Sequence, residues 1–90
     1  METKAISIHI KGRVQNVGFR YHTQKTARSF GIKGFVRNNP DGSVYAEAEG
    51  KQKALELFCE WCKKGPTWAQ VDSVNTCHIP SQNYTDFNII

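Results

Sequence analysis

The stretch Gly34-Phe35-Val36-Arg37-Asn38-Asn39-Pro40-Asp41-Gly42-Ser43-Val44 joins two alternating segments through a tight turn. Proline presets φ and glycine takes a positive-φ position, so Asn39-Pro40-Asp41-Gly42 predicts the turn itself. Residues 32–38 before it read as a strand. After it, Val44, Ala46 and Ala48 alternate with Tyr45, Glu47 and Glu49 and read as the strand's hairpin partner.

Upstream, Ile6, Ile8 and Ile10 alternate with Ser7, His9 and Lys11, the pattern of a half-buried strand. Gly12 to Gly18 reads as a loop, punctuated by glycine at both ends. From about Phe19 a helix is expected, with Phe19, Ala27 and Phe30 on one face, Thr23 between them and Gly31 as its stop. Downstream, residues 51–64 place Ala54, Leu55, Phe58, Trp61 and Cys62 at helical spacing, closed by Gly65-Pro66. A strand over about 69–78 and a short terminal one through Tyr84, Phe87 and Ile89 complete the chain. The order β-α-β-β-α-β plus a terminal strand predicts an α+β, ferredoxin-like sandwich: an antiparallel sheet with both helices on one face. Strand 1 most simply lies beside strand 3, so strands 1 and 2 run parallel, roughly 10 Å apart. Their C-terminal ends then share one edge of the sheet, and loop 12–18 and Asn38 face the same solvent region.

The 90 residues, 39% hydrophobic and 22% charged, suit one globular domain over 1–90. No apolar run approaches the roughly 20 residues of a bilayer span, and the start Met1-Glu2-Thr3-Lys4 has no apolar signal segment. A cytoplasmic protein with no membrane partner is expected. Three cysteines cannot form a complete disulfide framework, and reduced thiols fit that setting. The net charge of +4 is uneven. Residues 1–45 hold eight Lys/Arg against two acids, +6, while 46–90 hold four against six, −2. A basic half suits an anionic partner: a nucleic acid, an anionic lipid surface or a small phosphorylated or carboxylated substrate.

A loop that opens into a helix presents unsatisfied N–H groups and a positive dipole end, a place for phosphate or carboxylate. Successive amides there can form an anion-binding concavity. Arg20 falls in the first helical turn, where a cation opposes the dipole. Its guanidinium can grip a phosphoryl group bidentately. Asn38, at the end of strand 2, can hold a water with one atom of its amide and touch substrate with the other. Asn39 and Asp41 read as ordinary turn residues.

Residues 11–20 (KGRVQNVGFR) and 34–44 (GFVRNNPDGSV) resemble the two signature segments of the acylphosphatases, and the likeness runs from strand 1 to Phe87-Asn88-Ile89. That resemblance implies hydrolysis of an acyl phosphate to a carboxylate and inorganic phosphate, by a monomer, with no metal or cofactor and no nucleic-acid partner. It also implies residue roles. Arg20 binds the phosphoryl group, Asn38 orients the attacking water, and the amides of Gln15, Asn16, Val17, Gly18, Phe19 and Arg20 cradle the phosphate. Inorganic phosphate or another anion is expected to occupy the same loop. Asn16 stands where the family usually has glycine, and Phe35 where tryptophan or tyrosine is common. Asparagine tolerates left-handed backbone better than other L-residues, so the loop is expected to keep its shape.

The runner-up is a non-catalytic basic module for RNA or another polyanion, suggested by Lys33-Gly34-Phe35-Val36 and the basic half. A third is a relic domain that binds phosphate without turnover. Cys59-Glu60-Trp61-Cys62 falls inside the second helix rather than at a helix start. With Cys77 and His78 it makes only an irregular metal spacing. The helix and strand cysteines are expected to face the core, and His9 and His22 the surface or its boundary. Residues 31–34 (GIKG) read as a helix end, residues 12–18 lack the Lys-Ser/Thr of a nucleotide loop, and Asn83-Tyr84-Thr85 lacks secretory context.

Overall fold

A computed structural model describes residues 3–90; the first two residues of the expected 1–90 domain lie outside the described residues. The elements are β1 (Lys4–Arg13), α1 (Phe19–Ser29), β2 (Lys33–Asn38), β3 (Val44–Gly50), α2 (Gln52–Lys64), β4 (Gln70–Ile79) and β5 (Phe87–Ile89). They form a five-stranded sheet in the order β4-β1-β3-β2-β5. β1 pairs antiparallel with β3 and β4, and β2 antiparallel with β3. The ferredoxin-like arrangement is the expected one, with one difference at its edge. β5 runs parallel to β2, so the sheet is mixed, because the chain crosses over from β4 at the far edge before it docks.

Period-two alternation sends Ile6, Ile8 and Ile10 of β1, Val44, Ala46 and Ala48 of β3 and Val36 of β2 to one face. There they pack with Phe19 and Ala27 of α1, Leu55, Phe58 and Cys62 of α2, and Phe87 of β5. The two helices touch each other as well as the sheet, so both lie on this face. Phe30 is not part of that helical face. It caps α1 at 37% exposure, because the chain has already left the helix and turns at Gly31 with φ 71°.

Gly34 shows how closely β2 and β3 approach. Its φ is +147°, and a Cβ there would lie 1.8 Å from the Glu47 carbonyl oxygen. Tyr84 precedes β5 instead of belonging to it. Residues 81–84 run as a strap over the sheet face away from the helices, gathered on the carboxylate of Glu49, which is only 3% exposed. Glu49 Oε2 accepts from the backbone N–H of Gln82 and of Asn83 (3.1 Å) and from the Ser81 hydroxyl (3.3 Å). Oε1 accepts from the Tyr84 N–H at 3.0 Å. Beside it, the hydroxyls of Tyr45 and Tyr84 both donate to Glu47, each at 2.7 Å.

The cysteines divide. Cys62 is buried and Cys59 half-buried, as expected, but Cys77 is exposed. β4 is an edge strand, and Cys77 pairs opposite Ser7 on the face away from the helices. Burial pushes the Cys62 thiol up, and the Cys59 thiol in the same direction. Among the described residues no three His, Cys, Asp or Glu side chains come together as a metal-holding group.

Candidate active site

The sheet order puts β3 between β1 and β2, so the parallel strands β1 and β2 end at one edge, as the hairpin reading predicts. The inward-facing series of β2 runs Gly34, Val36, Asn38. Val36 is still covered by core, whereas at Asn38 the same side of the strand emerges into a cleft of about 190 Å³. Val14 and Phe19, both buried, underlie the cleft, with Phe19 held by Trp61 at 5.6 Å between ring centres. Asn16, Gly18, Arg20 and Asn38 supply its polar lining. Gln15 and Val17 do not line it.

Asn16 adopts φ 63°, the left-handed conformation its position demands. Gly18, the N-cap of α1, is also left-handed at φ 76°, ψ 17°. No side chain caps the helix start, and its first turn holds no acid. The N-terminal amides of α1 are thus left without a side-chain acceptor beside the cleft. Arg20 is half-buried, and among the described residues it forms no salt bridge. Asn38 Oδ1 is the one buried side-chain polar atom among the described residues with no hydrogen-bond partner in the protein. A buried acceptor without a donor is costly, commonly by about 1–3 kcal/mol, unless something in the cleft satisfies it.

Two features escaped the sequence. The Gln15 side chain turns away from the cleft. Its Nε2 donates to the carbonyls of Asn39 (2.7 Å) and Ser43 (2.9 Å), tying the loop to the β2–β3 turn. Ser43, buried, is the hub of that turn. Its hydroxyl donates to Asp41 Oδ1 (2.5 Å) and accepts from Asn39 Nδ2 (3.0 Å). With that single proton committed, the His9 Nε2 that meets Ser43 Oγ at 2.9 Å must be a donor. The bond from the Ser43 hydroxyl, and then that from its amide, holds the Asp41 carboxyl below the ordinary carboxylate range. Asn39 and Asp41 are turn residues as expected, but they also brace the strand that carries Asn38. The Asp-Gly-Ser run was the available signal; the partners from residues 9 and 15 were not visible.

Phe35 is no free stacking platform. Its ring lies 6.0 Å from Tyr45 and 5.9 Å from Tyr84, with the Arg37 guanidinium 6.0 Å from its centre and 4.7 Å from that of Tyr45. The surface an RNA-binding reading requires on β2 is already occupied from within the chain.

The acylphosphatase family model matches residues 6–89. The chain belongs to the acylphosphatase family. It is 45% identical to an acylphosphatase of Thermotoga petrophila over 86 residues, 96% of each chain. The solved acylphosphatase from Bacillus subtilis superposes with a TM-score of 0.94 at 35% identity, covering 97% of this chain and 98% of that one. The acylphosphatase from Coxiella burnetii gives 0.95 at 32% identity, with 98% and 93% covered. Family membership leaves the polyanion-binding alternative without support.

Proposed function

We propose that this chain hydrolyses acyl phosphates to a carboxylate and inorganic phosphate, with Arg20 as the phosphoryl clamp and Asn38 as the residue that orients water. The observation that carries the reading is Asn38 Oδ1, a buried acceptor with no protein donor, in the same cleft as Arg20 and the uncapped start of α1. In this reading a water donating to Asn38 Oδ1 is held in the same cleft as a phosphoryl group gripped by Arg20. The amides of Asn16, Gly18, Phe19 and Arg20, which line the cleft, complete the cradle around the phosphoryl oxygens, without those of Gln15 and Val17.

Attack forms a P–O bond to the water oxygen and breaks the P–O bond to the acyl group, which leaves as a carboxylate. The water's proton passes to a phosphoryl oxygen, since no carboxylate or imidazole lines the cleft to receive it. A carboxylate is a good leaving group, so the protein's part is positioning and electrostatic stabilisation of the equatorial oxygens. Arg20 and the amides supply fixed positive charge there without reorganisation. The enzyme is further proposed to act as a cytoplasmic monomer. Its three cysteines, an odd number, suit a reducing compartment.

The test is hydrolysis of benzoyl phosphate in EDTA by wild type, Arg20→Gln and Asn38→Ala, each checked for folding by circular dichroism. Fast turnover by wild type is expected, lost by about a hundredfold or more in each folded variant. A wild type no faster than buffer, or an active Arg20→Gln, overturns the reading.

A further inference from the structure

The cleft lining is of two kinds: Asn16, Gly18, Arg20 and Asn38 offer polar groups, whereas Tyr21 and Ile89 offer large exposed side chains with apolar bodies. Single exposed apolar side chains are ordinary on a protein surface. These two, 58% and 38% exposed, come from opposite ends of the chain and meet at one cleft.

Neither is loosely placed. Tyr21 sits in the first turn of α1 directly after Arg20, with the ring of His22 edge-on at 5.2 Å. Ile89 is carried by β5, whose parallel pairing with β2 sets it opposite Val36, two residues before Asn38. β5 is fastened along its length. Phe87 is buried, the Gln24 side chain donates to the Phe87 carbonyl at 2.9 Å, and the Ile90 N–H donates to the Val36 carbonyl at 3.0 Å. Just ahead of it, Asp86 pairs with Arg28 at 3.1 Å.

Arg20, Asn38 and the amides that line the cleft are engaged by the phosphoryl group and its water, which leaves Tyr21 and Ile89 as the large side chains of the lining that can meet the acyl group.

We propose that Tyr21 and Ile89 form the wall that selects the acyl group, favouring acyl phosphates with an aromatic or branched apolar acyl group over acetyl phosphate. The proposal rests on the acylphosphatase reading above and deepens it, since the phosphoryl end alone treats all acyl phosphates alike. Both side chains remain partly exposed, so the discrimination belongs at the low end of what an apolar pocket achieves, about tenfold.

The experiment measures kcat/KM for benzoyl and acetyl phosphate in wild type, Tyr21→Ala, Tyr21→Phe, Ile89→Ala, Ile89→Leu and Asn38→Ala. Taking the benzoyl-to-acetyl ratio of each variant against that of wild type cancels the different intrinsic reactivity of the two substrates. Tyr21→Ala and Ile89→Ala should each lower the ratio by about fivefold to tenfold, chiefly through KM for benzoyl phosphate. Tyr21→Phe and Ile89→Leu should restore most of it. Asn38→Ala should lower both substrates together and leave the ratio in place. Normal turnover of both substrates with a ratio unmoved by the alanine variants overturns the acyl wall alone. No turnover of either substrate by wild type overturns the acylphosphatase reading and the wall with it.

Discussion

Replacing Glu49 by Gln tests the least obvious feature of this fold, a carboxylate clasp on the strap that leads into β5. Glu49 is almost fully buried and accepts from the amides of Gln82, Asn83 and Tyr84 and from the Ser81 hydroxyl. An amide side chain has one oxygen where the carboxylate has two. If that oxygen takes the Oε2 position, the NH2 group confronts the Tyr84 N–H. If it flips, the NH2 confronts all three donors on the other side. At least one bond to a charged acceptor is therefore lost, worth about 1.5–3 kcal/mol, and the remaining bonds weaken to neutral ones. The expected destabilisation is about 2–4 kcal/mol. For a chain of this length that lowers Tm by roughly 10–20 °C. Urea unfolding followed by tryptophan fluorescence gives the free energy, and amide exchange at residues 82–84 locates the loss. Ser81→Ala, which removes only the 3.3 Å hydroxyl contact, should cost less than about 1 kcal/mol. A Glu49→Gln protein within about 0.5 kcal/mol of wild type, with residues 82–84 still protected, refutes the clasp.

Four further outcomes follow from the same geometry. Gln15→Glu should impair activity more than Gln15→Ala, because it sets an acceptor-only side chain against the Asn39 and Ser43 carbonyls. The expected signature is a fall in kcat with the unfolding free energy of Gln15→Ala lowered by no more than about 1–2 kcal/mol; equal kcat for the two variants counts against the tie. Gly34→Ala should prevent stable folding, since its Cβ meets a β3 carbonyl, whereas Gly31→Ala, with open space around it, should cost only the left-handed backbone penalty of about 1–2 kcal/mol; similar midpoints for both contradict this. Desolvation, followed by its bond to Glu47, pushes the Tyr84 hydroxyl up to about 12 from an ordinary 10. A raised folded value means stability is fully present below pH 10 and is lost as pH rises from 10 towards 12, so Tyr84→Phe should flatten that part of the Tm-versus-pH curve. A thiol-specific reagent should modify Cys77 first and Cys59 slowly, reaching buried Cys62 only on unfolding; native-state labelling of Cys62 at the rate of Cys77 contradicts the burial.

Much of the site was legible because its parts are local. A Pro-Asp-Gly turn, a glycine-bounded loop and an arginine one residue into a helix are each read from neighbours in sequence. The strand order then follows from the hairpin and brings loop 12–18 to Asn38. Gln15 was legible as a loop residue but not as a tie, since its acceptors lie 24 and 28 residues away. Cys77 was misplaced because an edge strand has one face uncovered, and alternation alone does not say which residues lie on it. Phe30 was misplaced because the helical spacing continues past the point where Gly31 turns the chain.

By itself the sequence determined the element order, the family and the residues proposed to meet a phosphoryl group. Those depend on backbone preference at single positions and on apolar periodicity, which act over a few residues. Only the tertiary structure decided that Glu49 is a buried anchor, that β5 docks parallel to β2, and that Tyr21 and Ile89 line the same cleft as Arg20. Each of these joins residues more than thirty positions apart, and such contacts form only once the packed sheet holds both partners in place.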